Sequence, residues 1–153
     1  MNHALWISIL ALAACGKGGG THIDGVACDA KAVGDLAAKL DMASGINVDL
    51  TNEKVKADIA AAKKDVMGKT FAFTGCKFQS QGNDQVSFAS SDGSKSIQCT
   101  MKNGEKGVTE FRHAAMAVGQ DKLKLDVSGT IAEAGSAHFE RVGMTGCEIV
   151  AHD

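Results

Sequence analysis

The sequence predicts a mainly β protein, a five-stranded Greek-key barrel preceded by two helices. Three observations carry that prediction. Apolar residues recur with a period of two in short runs between Lys69 and Val150, a single helical period interrupts those runs, and two further helical periods come before them. Glycine marks most of the breaks, since the chain contains 18 Gly and no Pro.

The runs can be taken in order. Phe71 and Phe73 alternate with polar neighbours before Gly75, and Val86 with Phe88 makes a second run. Ile97, Cys99 and Met101 form a third, Leu123, Leu125 and Val127 a fourth, and the last passes from Phe139 through Val142 and Met144 to Cys147 and Ile149. Between the third and fourth, Glu110 to Val118 sets Phe111, Ala114, Ala115 and Val118 at helical spacing. Three strands, a helix and two strands is the order of an OB-type barrel, expected here over 69–153. On this alternation Val86, Phe88, Ile97, Cys99 and Met101 face inward. Gln85, Ser87, Ser96, Gln98, Thr100 and Lys102 face out.

Ahead of the barrel, residues 27–68 read as a helical preface. Cys28, Ala32, Val33, Leu36, Ala37 and Leu40 share one face of a helix from Asp29 to Met42, and Gly45 ends it. Gly34 inside that helix costs about 1 kcal/mol relative to Ala, so the helix must lean on tertiary contact. A second helix from Asn52 to Met67 carries Val55, Ile59, Ala62 and Val66 as its apolar stripe. Thr51 or Asn52 can cap its start, and Gly68 can adopt the left-handed stop. Stripes this narrow cover a barrel or its open end.

The first residues read as an address. Residues 1–14 form an apolar run too short to cross a bilayer as a stable helix, as in a signal peptide. Leu12-Ala13-Ala14-Cys15 resembles the lipobox of bacterial lipoproteins, in which the cysteine is acylated and becomes the first residue. That resemblance implies a membrane anchor through acyl chains on Cys15, with residues 15–26 as a Gly-rich flexible tether. By similarity to enterobacterial sorting, Gly16 in place of Asp implies the outer membrane, facing the periplasm or the cell surface. The n-region departs from the pattern in having no Lys or Arg, only the amino terminus and His3. An ordinary cleaved signal, or a buried helix with a chance cysteine, is the alternative.

A second resemblance covers residues 53–150. Ala57 to Gly68 running into Lys69-Thr-Phe-Ala-Phe-Thr-Gly75, with Ser96 to Met101, Lys122 to Gly129 and Val142 to Val150, resembles the tRNA-anticodon-like OB domains of small bacterial envelope proteins. Many of those carry a cysteine at the end of the fourth strand, where this chain has Ser128-Gly129-Thr130. This first strand has its own Cys76.

With Cys15 set aside, Cys28, Cys76, Cys99 and Cys147 remain, an even number in an exported chain, and they allow three disulfide pairings. Third and fifth strands are neighbours in an OB barrel, which makes Cys99 with Cys147 natural and leaves Cys28 with Cys76. Buried free thiols are the alternative. A metal site or redox pair has no support, because no two cysteines have CxxC spacing and no His repeats beside them.

Charge and composition exclude further classes. The formal charge of -2 comes from 16 basic and 18 acidic residues interspersed along the chain, so no strong field recruits phosphate backbones. From Lys69 to Asp153 there are nine basic and ten acidic residues, and the outward positions named above carry no aromatic ring. Nucleic acid is therefore not an expected partner. The sequence holds no nucleophile elbow, phosphate loop or paired acids at fixed helical spacing. His113 beside Arg112 and Glu110 reads as a solvated helix face. No catalytic residue, cofactor or metal is expected.

The expected function is a membrane-anchored, non-enzymatic envelope lipoprotein acting as a binding or structural module towards another envelope component. The alternative is an OB domain holding an oligosaccharide or single-stranded nucleic acid in its groove. Lys77, Gln98, Thr100 and Lys102 are the groove candidates.

Overall fold

A computed structural model describes residues 23–46, 48–119, 122–132 and 141–153. The fold is mainly β, a closed five-strand barrel with three helices. In chain order the elements are β1 (Val26–Ala27), α1 (Ala30–Ser44), α2 (Glu53–Val66), β2 (Thr70–Gln81), β3 (Gln85–Ala89), β4 (Ser96–Met101), α3 (Gly104–Val118), β5 (Lys124–Thr130) and β6 (Arg141–His152).

Two long strands close the barrel. Along its first half β2 pairs antiparallel with β5, and along its second half with β3. The other long strand, β6, runs parallel to β4 from Arg141 to Cys147 and antiparallel to β5 from Thr145 to His152. A strand that serves two neighbours in succession has to bend. Each of these bends at a bulge holding a left-handed glycine, Gly75 at φ 73° and Gly146 at φ 61°. The extra residue also reverses the alternation, so the residue after each glycine points inward: Cys76 is fully buried and Cys147 is 1% exposed. Period-two reading from Phe71 and Phe73 carries Cys76 to the outer face, and the bulge corrects it.

The core is built from small side chains around two fully enclosed rings. Val86, Ile97, Cys99, Leu125, Val127, Ile131 and Val142 have no exposed surface, and Phe73 and Phe88 lie among them. Each such Val, Leu, Ile or Phe stabilises the fold by about 1.5–3 kcal/mol relative to leaving it in water. The inward and outward sets expected for β3 and β4 alternate as the sequence implied.

Local signals place the helices. Asp29 caps α1 by accepting from the Ala32 N–H, and Asn52 caps α2 by accepting from the Lys54 and Val55 N–H groups. Val33, Leu36, Ala37, Leu40 and Ala43 form the buried stripe of α1. Helix α3 begins six residues before the expected Glu110, and its buried stripe is Gly107, Val108 and Phe111, with Ala114 exposed. Its start is weak in propensity, with Gly104 and Gly107 in the opening turns and no side-chain cap from Asn103. Tertiary packing holds it instead: Phe111 meets Phe78 of β2 with ring centroids 5.7 Å apart.

One strand falls outside the expectation. Val26 and Ala27 pair in parallel with Phe73 and Thr74, so the end of the stretch expected as a tether is an edge of the sheet. Cys15, the tether up to residue 22, and Phe139 lie outside the described residues.

Candidate functional site

The outward face of β3, β4 and β6 holds a ladder of side-chain amides. Arg141 Nη1 donates to Gln98 Oε1 at 3.2 Å, Gln98 Nε2 donates to Gln85 Oε1, and Gln85 Nε2 donates to Thr100 Oγ1 at 3.3 Å. Strand alternation puts these groups on one side, and cross-strand pairing of Gln98 with Ser87 and Gly143 sets their order. Gly143 adds no side chain beside Gln98, which leaves a depression of about 300 Å³ lined by Gln85, Gln98, Thr100, Gly143 and Thr145. Among the described residues its lining is uncharged and carries donors and acceptors in planar pairs, the chemistry that meets hydroxyl groups.

The four groove candidates do not share this face. Gln98 and Thr100 line it together. Lys102 lies instead in a cleft beside α3 and gives its Nζ to Glu148 Oε1 at 2.8 Å. That hydrogen bond holds the Lys102 ammonium above its ordinary range and the Glu148 carboxyl below its own. Lys77 is on a third surface, a cleft of about 920 Å³ that also receives Lys122, Lys124 and Asp153. The expectation of one groove fails because the barrel wall curves: Lys77 shares its cleft with Lys122 and Lys124, whereas Gln98 and Thr100 of β4 line the separate amide face.

All four cysteines of the described residues are bridged. Cys28 is joined to Cys76 and Cys99 to Cys147, with Cα separations of 5.1 Å and 5.8 Å. The first bridge ties the residue before the α1 cap to β2, and the second crosses between the parallel pair β4 and β6. Such thiols carry no nucleophilic chemistry.

One polar pair escaped the sequence reading. Asp126 of β5 has no exposed surface, yet alternation places it outside the apolar set of Leu125 and Val127. It is covered by the C-terminal end of β6 and by the β2 bulge. His152 Nε2 lies 2.9 Å from Asp126 Oδ1, and the Gly75 N–H donates to the same oxygen at 3.1 Å. Burial works against the charged His152 ring, but the hydrogen bond to Asp126, the Asp153 carbonyl and the Asp126 charge outweigh it and raise its pKa above 6.5. The signal available in the sequence was the segment Thr-Gly-Cys, which occurs both at Thr74-Gly75-Cys76 and at Thr145-Gly146-Cys147.

Between α1 and α2 lies a cavity of about 400 Å³ with mostly apolar walls from Ala37, Met42, Ile46, Val55 and Ile59. On α3, Glu110 pairs with Lys106 at 3.7 Å and His113 is exposed. Among the described residues no group of three or more His, Cys, Asp or Glu could hold a metal ion, and no helix is long and apolar enough to cross a membrane. Comparison of the chain with protein-family models, curated proteins and solved structures gives no match.

Proposed function

We propose that the chain is an exported, lipid-anchored protein of a bacterial cell envelope whose barrel is a non-enzymatic binding or structural module. One observation carries the exported half of this reading: every cysteine of the described residues is engaged in a buried disulfide, an arrangement that persists in oxidising compartments. Leu12-Ala13-Ala14-Cys15 supplies the anchor, through acyl chains on Cys15. The barrel is read as an OB-type Greek key, related to the tRNA-anticodon-like envelope domains. The ring order β2-β3-β4-β6-β5, with α3 between the third and fourth barrel strands, supports that reading.

Mass spectrometry of the protein extracted from membranes tests the anchor. Expected is a chain beginning at Cys15 with acyl groups on it and no free thiol elsewhere. A cytosolic chain with an unmodified Cys15 and reducible, unpaired cysteines overturns it.

The module has a second reading, favoured by the ladder from Arg141 through Gln98 and Gln85 to Thr100: the depression holds a neutral oligosaccharide. Planar amides suit hydroxyls, and among the described residues the face has no aromatic platform for bases. Side-chain NH₂ resonances of Gln85 and Gln98 are expected to shift saturably with a neutral oligosaccharide and to lose that response in Gln98→Ala. Capture of an oligonucleotide in a salt-sensitive manner at this face overturns it.

A further inference from the structure

The β2–β5 side of the barrel bears an electrostatic cost that the described structure does not offset. The ladder between these strands ends where Cys76 pairs with Leu125, and the adjoining residues, Lys77 of β2 and Lys124 of β5, line one cleft. Like charges gathered in one cleft repel one another. Lys122 approaches the same cleft from the segment before β5, and Lys124 also sits across from His152, whose protonation its charge opposes. Each of the three lysines is exposed, and none joins an ion pair formed among the described residues. Among the described residues Asp153 is the one acid in the lining of the cleft. Asp126, behind the bulge, is engaged with His152 and the Gly75 N–H.

The remaining lining sets the chemistry of what fits. Phe78 and Leu123 give an apolar flank, and Gln79 and Ser91 give neutral hydrogen-bonding groups. Lysines act as compact point charges with rotatable donors, which suits a multiply charged oxyanion more than the planar fork that recognises a carboxylate. Phe78 is half-buried against Phe111, so among the described residues of the cleft no ring is free to stack a base as a nucleic-acid strand would require.

We propose that this cleft binds a phosphate-type oxyanion, carried by a soluble phosphoryl compound or by a phospholipid headgroup, with Lys77, Lys122 and Lys124 supplying the countercharge. Bound anion relieves the mutual repulsion of the three lysine ammonium groups in the cleft. The site is separate from the amide face and does not depend on the anchor.

The test is an NMR titration of the full-length protein with inorganic pyrophosphate. Parallel titrations use dihexanoyl phosphatidylglycerol, with dihexanoyl phosphatidylcholine as the zwitterionic control. Expected are saturable shifts at the Gln79, Ser91 and Leu123 amides and a rise in the His152 titration midpoint on binding. The double variant Lys77→Ala/Lys124→Ala weakens affinity by about fivefold to tenfold. Its thermal midpoint is unchanged or higher, because removing like charges relieves their repulsion in the cleft. Lys122→Ala, outside the ladder, repeats the test with no strand pairing at stake. Saturation by pyrophosphate assigns the site to soluble phosphoryl groups, and saturation by phosphatidylglycerol alone assigns it to a headgroup. Absence of saturation by both, an equal response to phosphatidylcholine, or shifts retained in the double variant overturns the proposal.

Discussion

The same three residues, Thr-Gly-Cys, turn the barrel wall at two places, and the two corners are furnished differently. At Thr74-Gly75-Cys76 the bulge receives β1 through the Cys28 N–H, which donates to the Thr74 carbonyl at 2.8 Å, and its glycine N–H is held by the buried Asp126. At Thr145-Gly146-Cys147 the contacts are neutral: Thr145 Oγ1 donates to the Thr130 carbonyl at 3.2 Å, and Gly129 lies against the sulfur of Cys147. The next residue differs too, with Glu148 paired to Lys102 at one corner and Lys77 sharing a cleft with Lys122 and Lys124 at the other. A repeated backbone device therefore fixes geometry alone. What surrounds it decides whether the corner is inert or charged.

The largest expected effect comes from opening the bridges. Both close a sequence separation of 48 residues, so chain entropy assigns each about 4 kcal/mol, and any measured difference reports the native surroundings. Urea unfolding of Cys28→Ala/Cys76→Ala and of Cys99→Ala/Cys147→Ala checks the totals. Hydrogen exchange sharpens the comparison: the first variant is expected to lose protection in β1 and α1 with the barrel kept, the second across β4 and β6.

Next in size is Asp126→Ala, expected to cost about 1–3 kcal/mol because it removes the acceptor of the Gly75 N–H and the carboxylate facing His152. At the neutral corner, Gly129→Ala is expected to cost a similar 1–3 kcal/mol for another reason, overpacking. A Cβ there would lie 2.7 Å from Cys147 Sγ and 3.0 Å from Met144. Thermal melts of the two variants, compared with and without reductant, separate a lost polar contact from a crowded disulfide.

Smaller still, Gly75→Ala and Gly146→Ala are each expected to cost about 1–2 kcal/mol, since both positions are left-handed. Equal losses by urea unfolding would show the bulge acting alone, and a larger loss at Gly75 would show the coupling to Asp126.

The smallest effect is one of pH. The folded His152 pKa is raised, so its contribution to stability is complete below the ordinary value of 6.5 and is lost as pH rises through the folded value. Urea midpoints taken on both sides of 6.5 should fall towards alkaline pH, and Asp126→Asn should flatten that slope. The Thr145-Gly146-Cys147 corner contributes nothing to it.

Periodicity made most of the elements legible, because Val86, Phe88, Ile97, Cys99 and Met101 alternate without interruption and the two leading helices carry clean stripes and caps. It failed where one inserted residue changes the phase, as at Gly75, and where packing overrides weak propensity, as at the start of α3. The candidate sites were less legible for a topological reason. Lys77 and Lys124 are distant in sequence and line one cleft only because β2 and β5 are neighbours in the closed barrel, and Asp126 is buried only because the end of β6 returns over it. Arg141 joined the amide ladder unforeseen, since its role depends on the parallel pairing of β4 with β6.

The position of the first bridge has a mechanical consequence. Both leading helices lie between Cys28 and Cys76, inside one covalent loop. Tension applied through the residues before Cys28 passes across the sulfur atoms directly into the wall of the barrel and leaves that loop slack. The helical pair can shift or loosen under load while the strand that receives the pull stays in register.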